Sequence, residues 1–283
     1  MYKIGHSINI TNISEKILEE HINSGIELIE VSSSYVEECE GADFKEIYRL
    51  AKKTGIELWS FHLPFAPFEQ IDISKPEFCK KTVEYFSELL KKVADIGIDK
   101  IVIHSSGEPI EDDERTERMK CAKESLGELA EIAKKNDVVI AVEDLPRSCL
   151  GKNSNEIAEL ISVHNDLMVC FDTNHLLSEK PVDFIYNIGD KIITTHVSDY
   201  DFINERHWLP GEGKNNWQGI IQAFKDVNYS GVWLYEIGFA CPKSIIRNRD
   251  LTCDDFARNA NEIFNNKPIT VFSEQIPNLG MWV

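Results

Sequence analysis

The chain has 283 residues, of which 42% are hydrophobic and 28% charged. This is the composition of an ordinary globular protein, with enough residues for one large domain or two small ones. The net charge of −18 at pH 7 argues against nucleic acid as a partner, because a phosphate backbone is bound mainly through lysine and arginine.

Membrane insertion and secretion are not expected from this sequence. No apolar run approaches the roughly 20 residues that span a bilayer, and the first ten residues lack the long apolar segment of a signal peptide. The seven cysteines are scattered, odd in number and without a Cys-x-x-Cys pair. This pattern is typical of reduced thiols, so we expect a cytoplasmic protein with no membrane partner.

Short apolar runs alternate with longer amphipathic segments eight times along the chain. In the segment from Pro76 to Ile96, apolar residues recur at steps of three and four, which predicts a helix. The apolar runs predict eight strands: Lys3–Asn9, Glu27–Ser32, Glu57–Phe61, Lys100–His104, Val138–Glu143, Met168–Asp172, Ile192–Val197 and Val232–Ile237.

Alternating strands and helices indicate βα units and a parallel sheet. Eight units in 283 residues predict an α/β fold, a single-domain (β/α)₈ TIM barrel over 1–283, since such barrels have about 250 residues. An open doubly wound sheet is the rival, but Gly5-His6-Ser7-Ile8 stands where its Gly-x-Gly-x-x-Gly turn would follow the first strand. The apolar tail, approximately 267–283, is expected to pack on the barrel or on a partner subunit, which would make a homo-oligomer.

Nearly every predicted strand ends in a histidine or a carboxylate. The residues at or just after these ends are Glu30, His62, His104, Glu143, Asp172, His175, His196 and Glu236. Catalytic groups of such barrels come from the carboxyl ends of the strands, so we expect these side chains on one rim. The loop ERHWLPGEG, which follows the seventh strand, adds Glu205 and His207 to the same rim.

Several carboxylates on one rim would repel one another unless a cation neutralised them. A single histidine or carboxylate at a strand end is more often a cap or a core residue, but so many converging on one rim point to a site. Mixed carboxylate and imidazole ligands suit divalent ions such as zinc, manganese or cobalt, and magnesium is a further candidate. The sequence therefore predicts a divalent metal cofactor.

The motifs FHLPF, VIHSSG, VEDLP, FDTNH, HVSD, HWLPGEG and LYEIG, in this order, resemble the xylose isomerase-like barrel superfamily. That group includes sugar and sugar-phosphate isomerases and epimerases, and also endonuclease IV-type AP endonucleases. The resemblance to its epimerases implies a metal bound by Glu143, Asp172, His196 and Glu236. It also implies that the two glutamates take and return the proton beside the carbonyl of a small carbohydrate substrate.

The same resemblance implies a substrate contact for His175. We expect further substrate contacts from the rim residues His62, His104, His207, Glu30 and Lys214, of which Lys214 could meet a phosphate. Two contacts of the family do not carry over, because Cys149 stands in place of a glutamate and Phe202 in place of an arginine. These departures argue against a free ketose of the tagatose or allulose type.

The endonuclease branch supplies the alternative, a zinc phosphodiesterase acting on abasic DNA. That branch holds additional zinc ions, and by resemblance His62, His104, Glu205 and His207 would form an extra site here, with Glu205 replacing an aspartate. The acidic loop SSSYVEECEGADF and the net charge favour the sugar branch. A dehydratase of a cyclic polyol and a non-catalytic ligand-binding barrel are further hypotheses.

Overall fold

The computed structural model describes residues 2–68 and 70–276. Its central feature is one sheet of eight parallel strands with the neighbour order β7-β6-β5-β4-β3-β2-β1-β8. The strands are β1 Ile4–Asn9, β2 Leu28–Ser32, β3 Glu57–His62, β4 Lys100–His104, β5 Val139–Glu143, β6 Met168–Asp172, β7 Ile192–His196 and β8 Trp233–Tyr235.

The sheet closes between β7 and β8, just beyond the end of β7. The Val197 amide donates to the Leu234 carbonyl at 2.8 Å, and the Glu236 amide donates to the Val197 carbonyl at 3.2 Å. These parallel hydrogen bonds join the two ends of the strand order, and they confirm the predicted (β/α)₈ barrel.

Helices in the described residues connect successive strands around the outside of the barrel. They are α1 Glu15–Asn23, α2 Val36–Glu40, α3 Phe44–Thr54, α4 Cys79–Asp95, α5 Arg115–Lys134, α6 Ser154–Ile161, α7 Pro181–Ile188, α8 Trp217–Asp226 and α9 Cys253–Phe264. Three of them begin at residues whose side chains accept a backbone amide of the first turn, namely Asp43, Asn153 and Asn216.

All eight predicted strands occur, with ends that differ by one or two residues. The strand expected over Val232–Ile237 is limited to Trp233–Tyr235, and the strand expected to stop at Phe61 continues to His62. The helix expected from Pro76 begins at Cys79, because the preceding residues form a turn in which the Phe78 amide donates to the Lys75 carbonyl. The short helix α2 was not predicted.

Alternate residues of each strand face the barrel interior or the helices. On β5, Ile140 and Val142 belong to the main core between sheet and helices, whereas Ala141 packs in a separate interior cluster. The interior is tight at its centre. A Cβ atom at Gly5 would lie 2.2 Å from Leu28 Cδ1, so β1 needs glycine at this position.

An apolar layer fills the lower half of the interior. Leu28, Val232 and Leu234 form one buried cluster with Trp59 packed against it. The Trp59 indole Nε1–H donates to Thr194 Oγ1 at 3.1 Å, which links β3 to β7 across the barrel. The barrel is therefore a packed core below the rim.

The chain returns to the rim after α9 and pairs there with a short strand. Strands β9 Ile245–Arg247 and β10 Ser273–Gln275 form an antiparallel ribbon. The Gln275 side-chain amide donates to the Glu212 carbonyl at 2.8 Å, so the tail contacts the loop after β7 as far as the structure describes it. The rest of the predicted tail, residues 277–283, lies outside the described residues. In residues 2–68 and 70–276, no helix is both long and apolar enough to cross a membrane.

Candidate active site

The carboxyl ends of the strands place a ring of polar side chains, most of them buried, at the mouth of the barrel. Strand alternation brings one interior residue from each strand end to this ring. Its members are Ser7, Glu30, His62, His104, Glu143, Asp172, His196 and Glu236. The rim predicted from the strand ends is thus one contiguous group of side chains.

Glu143 lies at the centre of this group, surrounded by imidazoles. Its Oε2 is 3.0 Å from His62 Nε2 and 3.2 Å from His104 Nε2. Its Oε1 is 2.9 Å from His196 Nδ1 and 3.7 Å from His175 Nδ1. Glu143 is almost fully buried, so water does not screen these interactions.

His196 has a carboxylate on each ring nitrogen. Nδ1 faces Glu143, and Nε2 lies 3.0 Å from Glu30 Oε1. Glu236 Oε2 is a third carboxylate oxygen, 3.6 Å from Nδ1. A neutral imidazole has one N–H and one lone pair. In neutral His196, one ring nitrogen would therefore point its lone pair at a carboxylate. A second proton on the ring, or a metal ion between that nitrogen and the carboxylate, would remove this repulsion.

The backbone contacts of His62 and His175 also leave a ring nitrogen facing a carboxylate. His62 Nδ1 lies 2.8 Å from the Leu63 carbonyl, and His175 Nδ1 lies 2.7 Å from the Asp144 carbonyl. A carbonyl oxygen can only accept, so each Nδ1 carries the hydrogen. In a neutral ring Nε2 would then point a lone pair at a carboxylate, so a proton or a metal ion is needed between Nε2 and the carboxylate in each case.

Asp172 offers a carboxylate oxygen with no protein donor. Its Oδ1 accepts from the Asn174 amide at 2.6 Å, whereas the buried Oδ2 has no hydrogen-bond partner among the described residues. His175 Nε2 lies 3.6 Å from this oxygen. Buried polar atoms are rarely left unpaired. A buried carboxylate oxygen that has no donor and lies beside an imidazole fits a divalent cation.

The described residues contain three overlapping groups of potential metal ligands. Within each group, the ligand atoms lie within 4.8 Å of one another. They are His62, Glu143, His196 and Glu236, then Glu143, Asp172 and His175, and then His175, Glu205 and His207. Three of the four expected ligands thus share the first group, in which His62 stands beside them. The fourth, Asp172, is in the second group and is joined to the first through Glu143.

Glu30 lies beneath His196, away from the open part of the barrel. It is completely buried, and it accepts hydrogen bonds from Ser7 Oγ at 3.0 Å and Ser60 Oγ at 2.8 Å. With His196 on the same carboxylate, both oxygens are occupied. The substrate contact expected of Glu30 is not apparent in this arrangement, which instead suits a residue that orients His196.

His207 and Lys214 occupy the outer part of the loop after β7. The His207 side chain is 40% exposed, and its Nδ1 lies 3.1 Å from the Glu236 carbonyl. Lys214 is exposed, and its backbone amide donates to the Tyr200 carbonyl at 2.8 Å. Within the described residues the Lys214 side chain makes no hydrogen bond or ion pair with the ring. The structure thus brings His207 to the site and leaves Lys214 at its edge.

Asp199 fixes the shape of this loop. Its Oδ2 accepts from the Gly211 amide at 2.8 Å and from the Trp217 indole at 2.9 Å. Its Oδ1 accepts from the Asn215 amide at 3.0 Å. Gly211 has a φ of 97°, which other residues rarely adopt. The Pro-Gly-x-Gly sequence is therefore a turn organised by one buried carboxylate, and it presents His207 to the rim.

The two central glutamates have opposite pKa shifts. Burial alone would raise the pKa of Glu143, but the charge of His196 and the hydrogen bonds from His104, His196 and His62 hold it well below its ordinary value. Burial raises the pKa of Glu236 to about 7, with the attraction of His196 only partly opposing the shift. Pairs of carboxyl groups with separated pKa values are typical of acid–base sites.

The histidines of the ring also differ in their pKa directions. Burial lowers the pKa of His104 despite its contact with Glu143. Burial also opposes protonation of His175 and His196, but neighbouring groups outweigh it and raise both pKa values well above the ordinary range. These groups are the surrounding carboxylates and, for His196, also Cys170. Glu143 also raises the pKa of His62 against the effect of burial, so protonation of these imidazoles is favoured in the metal-free protein.

Two groups beside the ring were not predicted. Phe65 stacks on His104 with ring centroids 4.5 Å apart and forms an aromatic wall with Phe68. Arg147 reaches over the rim and binds Glu205. In the sequence, Phe65 ends the motif FHLPF and Arg147 directly follows VEDLP. An aromatic or a cationic residue so close to a strand end could have indicated a position beside the ring.

The barrel and its ring define a class of protein, a (β/α)₈ barrel with a histidine–carboxylate centre at the strand ends. Comparison with known proteins identifies the family. A family model described as a xylose isomerase-like TIM barrel matches residues 22–250. The chain belongs to the xylose isomerase-like TIM barrel family.

Relatives of the chain include sugar 3-epimerases. D-psicose 3-epimerase of Enterocloster bolteae is 27% identical over 204 residues, which are 68% of this chain and 65% of that protein. The crystal structure of a D-tagatose 3-epimerase-like protein has a TM-score of 0.75 and 22% identity, with 93% of this chain and 96% of that chain covered.

A crystal structure of D-psicose 3-epimerase in the presence of D-fructose is also similar. It has a TM-score of 0.74 and 20% identity, with 93% of this chain and 98% of that chain covered. At these identities the structural likeness establishes a shared fold.

Proposed function

We propose that the chain is a divalent-metal-dependent epimerase or isomerase of a sugar or sugar phosphate. One observation carries this proposal: carboxylates and imidazoles converge at ligand spacing around Glu143, and the buried Oδ2 of Asp172 beside them has no donor among the described residues. The relatives with known activity are sugar 3-epimerases, which supports the reaction class.

The residues present fit a divalent ion. Glu143, His196 and Glu236 would hold the ion, and Asp172, with its orphaned Oδ2, lies in the adjoining group that shares Glu143. When bound, such an ion polarises a substrate carbonyl and lowers the cost of an enediolate. Zinc, manganese and cobalt suit this ligand set, and magnesium suits its carboxylates.

Glu143 and Glu236 are the groups placed to move a proton. Both carboxylates lie within 4 Å of the same atom, His196 Nδ1, at 2.9 Å and 3.6 Å. They come from β5 and from the end of β8, so they approach a substrate above His196 from different directions. One glutamate takes the proton from the carbon beside the carbonyl, and the other returns one to the opposite face.

The remaining ring residues would bind and orient the substrate. His175 and His207 are placed to contact hydroxyl groups from the β6 and β7 side. His104, stacked on Phe65, would cover the other side and limit access of water. Glu30 would act through His196 by holding its Nε2, so that Nδ1 faces the ion.

The substrate is expected to differ from that of D-psicose 3-epimerase. Cys149 is buried, and Phe202 lies with its ring centroid 4.5 Å from that of Tyr200, so neither supplies a charged contact. The Arg147–Glu205 pair supplies the charged groups at this edge instead. A ketose with a different substituent or configuration, or an inosose, suits a site changed in this way.

Hydrogen exchange in D₂O tests the proposal directly. Protein treated with EDTA would be reloaded with Mn²⁺, Co²⁺, Zn²⁺ or Mg²⁺ and incubated with ketoses, ketose phosphates and inososes. We expect metal-dependent loss of the proton signal of the carbon beside the carbonyl in at least one substrate. If the panel shows no exchange with any ion, the epimerase proposal is wrong.

A zinc phosphodiesterase acting on abasic DNA is the second candidate. It is favoured by the third ligand group, in which His175, Glu205 and His207 could hold an additional ion. The net charge of −18 disfavours it, because DNA-binding surfaces are basic. Incision of an abasic duplex by zinc-loaded protein, with two or more zinc ions per chain, would support this candidate over the epimerase.

A further inference from the structure

Arg147 links three loops at the edge of the barrel mouth. Its Nε donates to Glu108 at 2.9 Å, its Nη1 donates to Asn204 Oδ1 at 2.6 Å, and its Nη2 donates to Glu205 Oε1 at 3.0 Å. Glu108 follows β4, Arg147 follows β5, and the other two residues follow β7. The guanidinium is therefore a fixed positive charge shared by two carboxylates.

Glu205 would be a metal ligand if this guanidinium were absent. Its Oε2 faces His175 Nε2 at 3.3 Å, and its ligand atoms lie within 4.8 Å of those of His175 and His207. His175 Nδ1 is committed to the Asp144 carbonyl, so Nε2 is the nitrogen that points into this group. Two imidazoles and a carboxylate at this spacing are a sufficient protein ligand set for zinc.

Arg147 opposes such an ion in two ways. It occupies Glu205 Oε1, and its charge would lie within a few ångströms of any ion bound between Glu205 and His207. Arginine remains protonated in proteins, so this charge cannot be removed by a change of pH. A buried or half-buried pair of like charges is strongly unfavourable because the protein screens it poorly.

We propose that Arg147 acts as a built-in cation that replaces a second metal ion at the His175–Glu205–His207 group. The intact chain then binds one divalent ion, in the first ligand group, and removal of the guanidinium opens a second site. This inference depends on the single-ion site of the proposed function but does not depend on turnover.

Metal stoichiometry tests it. Wild-type protein and the Arg147→Met variant would be titrated with Zn²⁺ under equilibrium dialysis, with zinc counted per folded chain. We expect one zinc for the wild type and two for the variant at equal free zinc. The second site of the variant should bind at least about 100-fold more tightly than in the wild type, the order expected when such a repulsion is removed.

Matched variants locate the new ion. Arg115→Met removes another guanidinium, at the start of α5, that binds the Ser148 and Cys149 carbonyls of the loop after β5 but none of the proposed ligands in the described residues. It should keep one zinc. Arg147→Lys retains the positive charge and should also keep one zinc. Adding Glu205→Gln to Arg147→Met should abolish the second zinc.

The outcomes separate this inference from the proposed function. Two zinc ions in the wild type, or one zinc in folded Arg147→Met, would overturn the inference. If Arg147→Met does not fold, Arg147→Gln provides the neutral side chain, and one zinc in that variant would overturn the inference equally. A single zinc in the wild type and two in the variant would support it even if no sugar shows exchange in D₂O.

Discussion

Two successive layers inside the same barrel differ sharply in chemistry. The layer at the mouth is made of carboxylates and imidazoles, including Glu143, His196 and Glu236. The layer one step below, two residues earlier on each strand, is made largely of apolar side chains, including Ala141 and Leu234. The lower layer and most of the upper layer are buried, and both use the same strands and the same side of each strand.

The lower layer therefore serves stability and the upper layer serves function, although the two layers are adjacent. Buried charged groups cost free energy unless they are paired, and a well-packed apolar layer would stabilise the barrel more. The lower layer closes the core, so the upper layer is not needed for closure. Substitutions in the upper layer should therefore affect chemistry and spare stability, and those in the lower layer should do the reverse.

Glu236→Gln should show the largest effect. It keeps the shape of the side chain but removes the carboxylate, so turnover should fall by about 10³-fold or more, the range of a lost general acid or base. The melting temperature should stay the same or rise, because a buried charge is removed. Exchange rates in D₂O and thermal unfolding would measure both. Glu57→Gln, at an exposed carboxylate paired with Lys3, is the control and should leave turnover unchanged.

Leu234→Ala tests the lower layer. Leu234 is fully buried, and its removal leaves a cavity between Leu28 and Val232. The free energy of unfolding should fall by about 2–5 kcal/mol, as measured by chemical denaturation. Metal affinity of the folded fraction should stay close to that of the wild type. A variant with unchanged stability and lost metal binding would contradict the division between the layers.

Glu30→Gln tests whether a residue between the layers supports the metal site. The amide would weaken the hold on His196 Nε2, so the dissociation constant for the ion should rise by about 10–100-fold. Isothermal titration with Mn²⁺ would measure the change. Ser60→Ala, which removes a neutral hydrogen bond to Glu30, should have a smaller effect. Equal effects of the two variants would indicate general loosening.

The sequence was sufficient to predict the barrel and most of the ring. Strand spacing and the position of Glu143 or His196 at a strand end are local features, and the closure of eight parallel strands brings such ends together. The contact between Arg147 and Glu205 was not predictable. It joins loops 58 residues apart, and it depends on the left-handed backbone of Arg147, with φ of 52°, which no local pattern encodes.

The substrate contact predicted for Glu30 was limited in the same way by what a local pattern can show. Its place near a strand end predicted a side chain that faces the barrel interior, but periodicity gives no information on depth along the barrel axis. The register of β1 with β2 aligns Glu30 with Ser7 and sets it under His196. Depth, and with it the difference between contacting a substrate and supporting a ligand, depends on register and shear.

The pH dependence of metal binding gives the smallest expected effect and probes the upper layer alone. Burial raises the pKa of Glu236 to about 7 in the metal-free protein, so below this pH an ion must displace a proton to use the carboxylate. His196, whose pKa is also raised, acts in the same direction.

The dissociation constant for Mn²⁺ should therefore increase about tenfold per unit of pH for each displaced proton below pH 7. Above pH 7 the contribution of Glu236 to this slope should disappear, so the slope in Glu236→Gln should be shallower than in the wild type below pH 7 and similar to it above. Titrations between pH 5.5 and 8, in buffers with different heats of ionisation, would count the released protons. A slope in Glu236→Gln as steep as in the wild type would assign the displaced proton to a different residue.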